Sequence, residues 1–340
     1  MRIAVLGAGA VGARVVRQLA MTPAVRRVVV ADRDQAVAAR VAASVGAPVE
    51  AHADAIGDVA WADGADVAVL AHAGGDHAVL AQRLLEVGVS VVSASDDLDD
   101  VRDLLALDAQ GRERNAVVVA GAGFAPGLSC LLAGHAAATF DEVDEVHVAK
   151  TGTGGPDCAR GHHRAWGGDA YDWRDGQWVR RGGGSGRELC WFPDPVGAQD
   201  CYRAAAADAA LLVPAFPGVR RVTSRMGASR RDRLTAQLPM LRRPHREGTL
   251  GAVRVEVRGR RGQAHDSTVL GAIDRPAVAA GALAALTAVA LVEGRLRRRG
   301  AGGVAEMVED RPAMLAELSR RGVKVAAFDG AATRPVGGRS

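Results

Sequence analysis

The chain has 340 residues, 48% of them hydrophobic, and a formal net charge of +4, which is enough apolar material for two domains with a core each. Lys150 and Lys324 are the only lysines, so nearly all the positive charge is arginine. The basic stretches, residues 297–299 and the pair Arg230 and Arg231, are short and lack interleaved aromatics, so they read as solvated faces or helix ends and exclude nucleic acid as the expected partner.

From residue 2 to about residue 119, short β-branched runs alternate with Ala- and Leu-rich helical stretches, the pattern of right-handed βαβ units building a parallel sheet. Residues 2–6, 28–31, 67–71, 89–93 and 117–120 read as strands, with 48–52 a weaker one. The apolar run Val67-Ala68-Val69-Leu70 suits a strand covered on both faces. After Gly121 the texture changes: residues 152–200 are rich in Gly, Trp, His and Asp with little periodicity, which predicts functional loops. Residues 143–150, 219–225 and 251–258 alternate like strands of a mostly antiparallel sheet. Residues 276–292 are apolar throughout but dominated by Ala and Gly, and they barely reach the roughly 17 residues that a membrane crossing needs. Asp274 and Pro276 before them and Gly294 after them mark a buried helix, so no membrane is expected as a partner. A helix over 312–321 and a strand over 323–328 precede a frayed tail of ten residues. The predicted class is α/β: an N-terminal Rossmann domain with a doubly wound parallel sheet (1–125), an α+β substrate domain (126–275), C-terminal helices returning toward the first domain (276–330) and a tail (331–340). Cys130, Cys158, Cys190 and Cys201 fall in no paired metal spacing and follow no secretory signal, which predicts reduced thiols in the cytoplasm.

Gly7-Ala8-Gly9-Ala10-Val11-Gly12 lies directly after a strand and opens an apolar-periodic helix, the context that makes a glycine pattern informative. Gly7 permits the tight turn, Gly9 lets a pyrophosphate approach the backbone, and Gly12 allows close helix-to-strand packing. The phosphates are expected at the N-terminus of the helix starting at Ala10 and Val11, where N–H groups have no intrahelical partner. Asp32 ends the second strand, twenty positions on, where a carboxylate can accept from both ribose hydroxyls and would repel a 2′-phosphate. NAD is therefore the expected cofactor, with NADP the alternative, because Arg33 could partner a phosphate. Asp54, Ala71, His72, Ser93 and Ser95 follow later strands and are expected to complete the site at the same sheet edge.

The run Val91-Val92-Ser93-Ala94-Ser95 and the segment from Gly123 through Pro126 and Gly127 to Ser129, followed by Leu131-Leu132-Ala133, resemble the saccharopine dehydrogenase-like group of reductases. Residues 251–259 followed by Asp274-Arg275-Pro276-Ala277 are similar to that group's return from the substrate domain. The resemblance implies a nicotinamide-dependent oxidoreductase, and it places Pro126 near the cofactor. On its own chemistry Pro126 suits the first turn of a helix, and Gly127 beside it would let a ligand approach free N–H groups, so both are candidate substrate contacts. The acid ending the second strand departs from the many relatives that use NADP. That group includes saccharopine reductases, lysine dehydrogenases and carboxynorspermidine dehydrogenases, and the Trp- and His-rich middle segment matches none of these three, so no substrate is carried over.

Residues 150–169 hold the densest set of reactive side chains. Hydride transfer asks the protein for orientation, a proton relay and an anchor for substrate charge. His162, His163 or Lys150 could relay the proton, with Asp157 beside them, and Arg160 could anchor a carboxylate. Cys158 and His162 share a helical face, which raises a thiolate nucleophile or a metal site, yet no acid is placed to orient the histidine and no further ligands can be named, so no metal is assigned. Trp166, Trp173, Trp178, Trp191, Tyr171 and Tyr202 cluster here as a pocket wall, a core or a subunit contact. The expected activity is hydride transfer between NAD(P) and a small carboxylated amine or imine by a homodimer. A sugar or polyol dehydrogenase is the rival, but residues 93–97 lack the Lys-Pro pair it needs; a non-catalytic NAD(H)-binding regulator is the other.

Overall fold

In the computed structural model, which describes residues 1–52, 59–236, 238–240, 243–297, 299–329 and 332–335, the N-terminal third alternates strand and helix. It runs β1 (Arg2–Leu6), α1 (Ala10–Ala20), β2 (Arg27–Ala31), α2 (Gln35–Val45), β3 (Val49–Ala51), β4 (Val67–Leu70), α3 (His77–Glu86), β5 (Ser90–Ser93), α4 (Leu98–Ala106), α5 (Asp108–Glu113) and β6 (Val117–Ala120). The chain continues through α6 (Leu128–Ala137), β7 (Glu142–Thr151), α7 (Pro156–Ala165), β8 (Asp169–Arg174), β9 (Gln177–Gly182), β10 (Glu188–Trp191), β11 (Ala198–Tyr202), α8 (Asp208–Ala215), β12 (Arg221–Gly227) and α9 (Arg230–Thr235). It ends with β13 (Gly251–Arg261), β14 (Ala264–Asp274), α10 (Pro276–Val292), β15 (Gly300–Gly303), α11 (Val304–Met307), α12 (Arg311–Arg320), β16 (Lys324–Asp329) and β17 (Ala332–Pro335).

The first sheet is parallel throughout, in the order β15-β6-β5-β4-β1-β2-β3. Strand order reverses between β1 and β4, and the crevice beyond their carboxyl ends is where such sheets bind ligands. Every residue of β4 is buried, as a strand covered on both faces requires. One cover is α10, which lies against α1, β4 and β5. A Cβ at Gly281 would stand 2.4 Å from Arg14 Cβ, so this glycine sets how closely the two helices pack. Among the described residues, no helix is long and apolar enough to cross a membrane.

The outermost strand, β15, was not expected. Its sequence is Gly-Ala-Gly-Gly, it is fully buried, and it pairs in parallel with β6. A Cβ at Gly300 would fall 2.3 Å from Asp108 Oδ1, and one at Gly303 would fall 3.1 Å from Leu211, so close neighbours select residues with no strand propensity.

The second sheet has the order β10-β11-β12-β7-β13-β14-β16-β17, with β8 pairing β12 and β9. It is mixed: most neighbours are antiparallel, but β7 and β12 run parallel. Three expectations are corrected. Residues 152–200 are not loops but carry α7 and the strands β8 to β11, whose polar, half-exposed faces hide the alternation. Residues 332–335, placed in a frayed tail, pair with β16. The helix read as starting at Pro126 begins at Leu128, because Gly127 takes φ +128 at the N-cap.

Candidate active site

A cleft of about 1010 Å³ runs from the glycine loop to α7 and β7. At its first end, Gly7 has φ +97, and a Cβ there would meet His72 N at 2.4 Å. At Gly12 a Cβ would lie 1.7 Å from Gly7 O, whereas at Gly9 it would meet nothing within 4 Å. Two glycines are therefore demanded by packing, and the third opens onto the cleft beside Ala10 and Val11, which begin α1. Asp32 is pinned: its Oδ2 accepts from Ala8 N at 2.7 Å and its Oδ1 from Asp34 N at 2.9 Å, leaving lone pairs on both oxygens. The open Gly9, the free amides of α1 and the fixed Asp32 carboxylate fit a dinucleotide. Arg33, Ala71 and His72 also line the cleft, and Asp54 lies outside the described residues.

Ser93 does not line the cleft but is fully buried beneath it. Its hydroxyl donates to His77 Nδ1 at 2.8 Å and accepts from Ser95 N at 3.2 Å. His77 Nε2 lies 3.0 Å from His72 O, and a carbonyl only accepts, so Nε2 carries the proton. Burial, followed by the His72 charge, pushes the His77 pKa down to about 3, so the ring is neutral. The two imidazoles stack with centroids 4.1 Å apart. Asp97 caps α4 by accepting from Asp99 and Asp100 N–H, both at 3.1 Å. Between these two anchors, Ser95 and Asp96 are presented to the cleft.

Asp96 is the centre of the reactive cluster. From β7, Lys150 Nζ donates to Ala125 O at 2.6 Å and stands 3.8 Å from Asp96 Oδ2. From α7, His162 Nε2 approaches Asp96 Oδ2 to 3.4 Å and Cys158 Sγ to 3.6 Å. Burial alone would raise the Asp96 pKa, but the His162 hydrogen bond and the Lys150 charge reverse this and hold it well below the usual carboxylate range. Burial opposes charge on His162 as well; the Cys158 thiolate and Asp96 outweigh it and push its pKa up to about 9. The Cys158 thiol, raised by burial, is brought below its ordinary value by His162. The start of α7 is set by close approach: a Cβ at Gly155, where φ is +138, would lie 2.9 Å from Ala10 Cβ.

The remaining predicted residues lie elsewhere. His163 donates to Leu238 O at 2.7 Å and shares a smaller depression with Arg160, away from His162. Asp157 touches the cleft but is ion-paired with Arg160. Pro126 and Gly127 are buried off the cleft; a Cβ at Gly127 would fall 2.2 Å from Gly123 O, so this glycine serves a packed turn and not ligand approach. Of the aromatic cluster Tyr171 lines the cleft, while Trp173 packs edge-on against Trp178.

Residues 2–121 match the family model described as semialdehyde dehydrogenase, NAD binding domain. No curated protein matches the chain. Among solved structures it is similar to apo saccharopine dehydrogenase (L-Glu forming) from Saccharomyces cerevisiae, with TM-score 0.68 and 15% identity over 96% of this chain and 100% of that one. It is also similar to the amine dehydrogenase from Mycobacterium smegmatis, with TM-score 0.53 and 13% identity over 91% and 96%. The chain has the saccharopine dehydrogenase-like fold. It is an NAD(P)-binding dehydrogenase fold, with an NAD-binding domain of the Rossmann type at its start.

Three residues of the site escaped sequence reading. Asp96 follows Ser95 at the carboxyl end of β5, and that position was its one available signal. His77 reads as an ordinary helix residue until its burial is known. Arg164 lines the cleft with an exposed side chain that has no ion pair among the described residues, whereas Arg160 is engaged.

Proposed function

We propose that the chain is an NAD-dependent dehydrogenase that moves a hydride to or from the carbon of a C–N bond in a small carboxylated amine or imine. The observation that carries this reading is Lys150. It is a buried ammonium tied to the Ala125 carbonyl and set 3.8 Å from Asp96, on the same cleft as the open Gly9. Gly9, Ala10, Val11 and Asp32 would hold NAD, which supplies the hydride acceptor when bound. The fixed carboxylate of Asp32 favours NAD over NADP.

The chain's own contribution is orientation and proton handling. Lys150 would give a proton to, or take one from, the substrate nitrogen, and Asp96 would steady the charged form of the lysine. Arg164, unpaired on the cleft wall, offers a two-pronged contact for the substrate carboxylate.

The test is absorbance of the nicotinamide during incubation with amino acids and amines plus NAD, and with oxo acids, ammonium and NADH. Turnover is expected, and Lys150→Met is expected to cut kcat by about 10²- to 10⁴-fold while the NADH Kd is unchanged. No turnover across the series, or full activity in Lys150→Met, refutes the proposal.

A further inference from the structure

We infer that Asp96, Cys158 and His162 form a binding site for one zinc ion, with its fourth position open to the cleft. The inference stands on ligand geometry and does not depend on hydride transfer. The three donor atoms lie within 4.8 Å of one another, and no other such trio occurs among the described residues.

Two of the three donor separations bear on the rival chemistries. A tetrahedral zinc with ordinary Zn–S, Zn–N and Zn–O bonds places sulfur and nitrogen about 3.5 Å apart and nitrogen and oxygen about 3.3 Å apart. Here Cys158 Sγ and His162 Nε2 are 3.6 Å apart, and His162 Nε2 and Asp96 Oδ2 are 3.4 Å apart. A Cys-His-Asp nucleophile would instead need the carboxylate on the far ring nitrogen, to hold the tautomer while the near one faces sulfur. Asp96 and Cys158 approach the same nitrogen. A single ring N–H cannot be aimed well at both, whereas one cation can bind all three donors.

The scaffold is already in place. Cys158 and His162 stand one turn apart on α7, whose start is fixed by Gly155 against Ala10, and Asp96 sits between the Ser93–His77 pair and the Asp97 cap. Binding therefore orders little new chain. One thiolate, one imidazole and one carboxylate select zinc or cobalt over magnesium or calcium, and two anionic ligands balance the dication. Lys150 is the opposing charge. It is held outside the trio by the Ala125 carbonyl, and the sign of its effect is a test in itself.

Tag-free protein stripped with a chelator is titrated with zinc against a chromophoric chelator, and separately with cobalt while recording its absorption spectrum. One equivalent of each metal is expected, with a thiolate-to-cobalt charge-transfer band and tetrahedral visible bands. Cys158→Ser should abolish the charge-transfer band and weaken zinc by more than the roughly 10- to 100-fold that loss of an outer-shell partner costs. Asp96→Asn, which keeps the shape of the side chain, should weaken it too; Lys150→Met should tighten it. Failure of the folded wild type to bind one equivalent overturns the site, as does binding untouched by Asp96→Asn and by any folded Cys158→Ser protein. Because Lys150→Met is expected to lose turnover but gain zinc affinity, failure of either reading leaves the other separately measurable.

Discussion

Lowering the pH from 7 to 5 should destabilise the protein through His77, and the size of the effect follows from its surroundings. The ring is 1% exposed, accepts from Ser93 and donates to His72 O, so protonation would place a charge in the core and force the Ser93 hydroxyl to turn from donor to acceptor. Its pKa falls from 6.5 to about 3. An unfolded chain takes up the proton that the folded one refuses, so this contribution is fully present above pH 6.5 and is lost as pH falls toward 3. Between pH 7 and pH 5 the linkage amounts to about 2 kcal/mol. His162 works in the other direction: its raised pKa contributes stability below pH 6.5 that is lost as pH rises through about 9. Comparing wild type with His77→Gln cancels this and every other shared group. Urea unfolding of both proteins at the two pH values is the assay, and glutamine retains a donor and an acceptor. The variant should lose about 2 kcal/mol less than wild type on acidification. Equal losses would refute the assignment of a buried neutral ring.

The two glycines facing opposite ways in the loop should separate stability from binding. Gly12→Ala must displace the Gly7 carbonyl, 1.7 Å from the new methyl, which should cost about 3 kcal/mol and lower Tm by about 4 °C in a chain this long. Gly9→Ala meets nothing, so Tm should move by about 1 °C or less while fluorescence titration shows NADH affinity reduced about tenfold. Arg164→Ala should raise KM for the carboxylated substrate about 10- to 100-fold, leaving KM for NAD unchanged in steady-state assays.

Much of the first sheet was legible because its signals are local. The turn at Gly7, the helix it opens and Asp32 at the next strand end all lie within one βαβ unit, where spacing along the chain dictates spacing in space. The helix Pro276–Val292 was equally plain from its composition and its start and stop residues. The long strands β7 and β13 also showed their alternation, whereas β8 to β11 carry charge and tryptophan on half-exposed faces and lost it. Among the candidate site residues, Lys150, Cys158 and His162 could be named from reactive side chains near one another in sequence, but Arg160 and His163 satisfied the same criterion and face a different depression.

The sequence by itself determined the dinucleotide end of this protein, because a glycine turn, a helix N-terminus and a strand-end acid are properties of contiguous chain. Only the tertiary structure decided the reactive end. Asp96 hangs from the first sheet, Lys150 from the second and His162 from the helix that follows β7, and no periodicity records that the three converge. The buried strand Gly300–Gly303 makes the same point: Gly300 is crowded by Asp108 and Arg112 and Gly303 by Leu211, neighbours that come from remote parts of the chain.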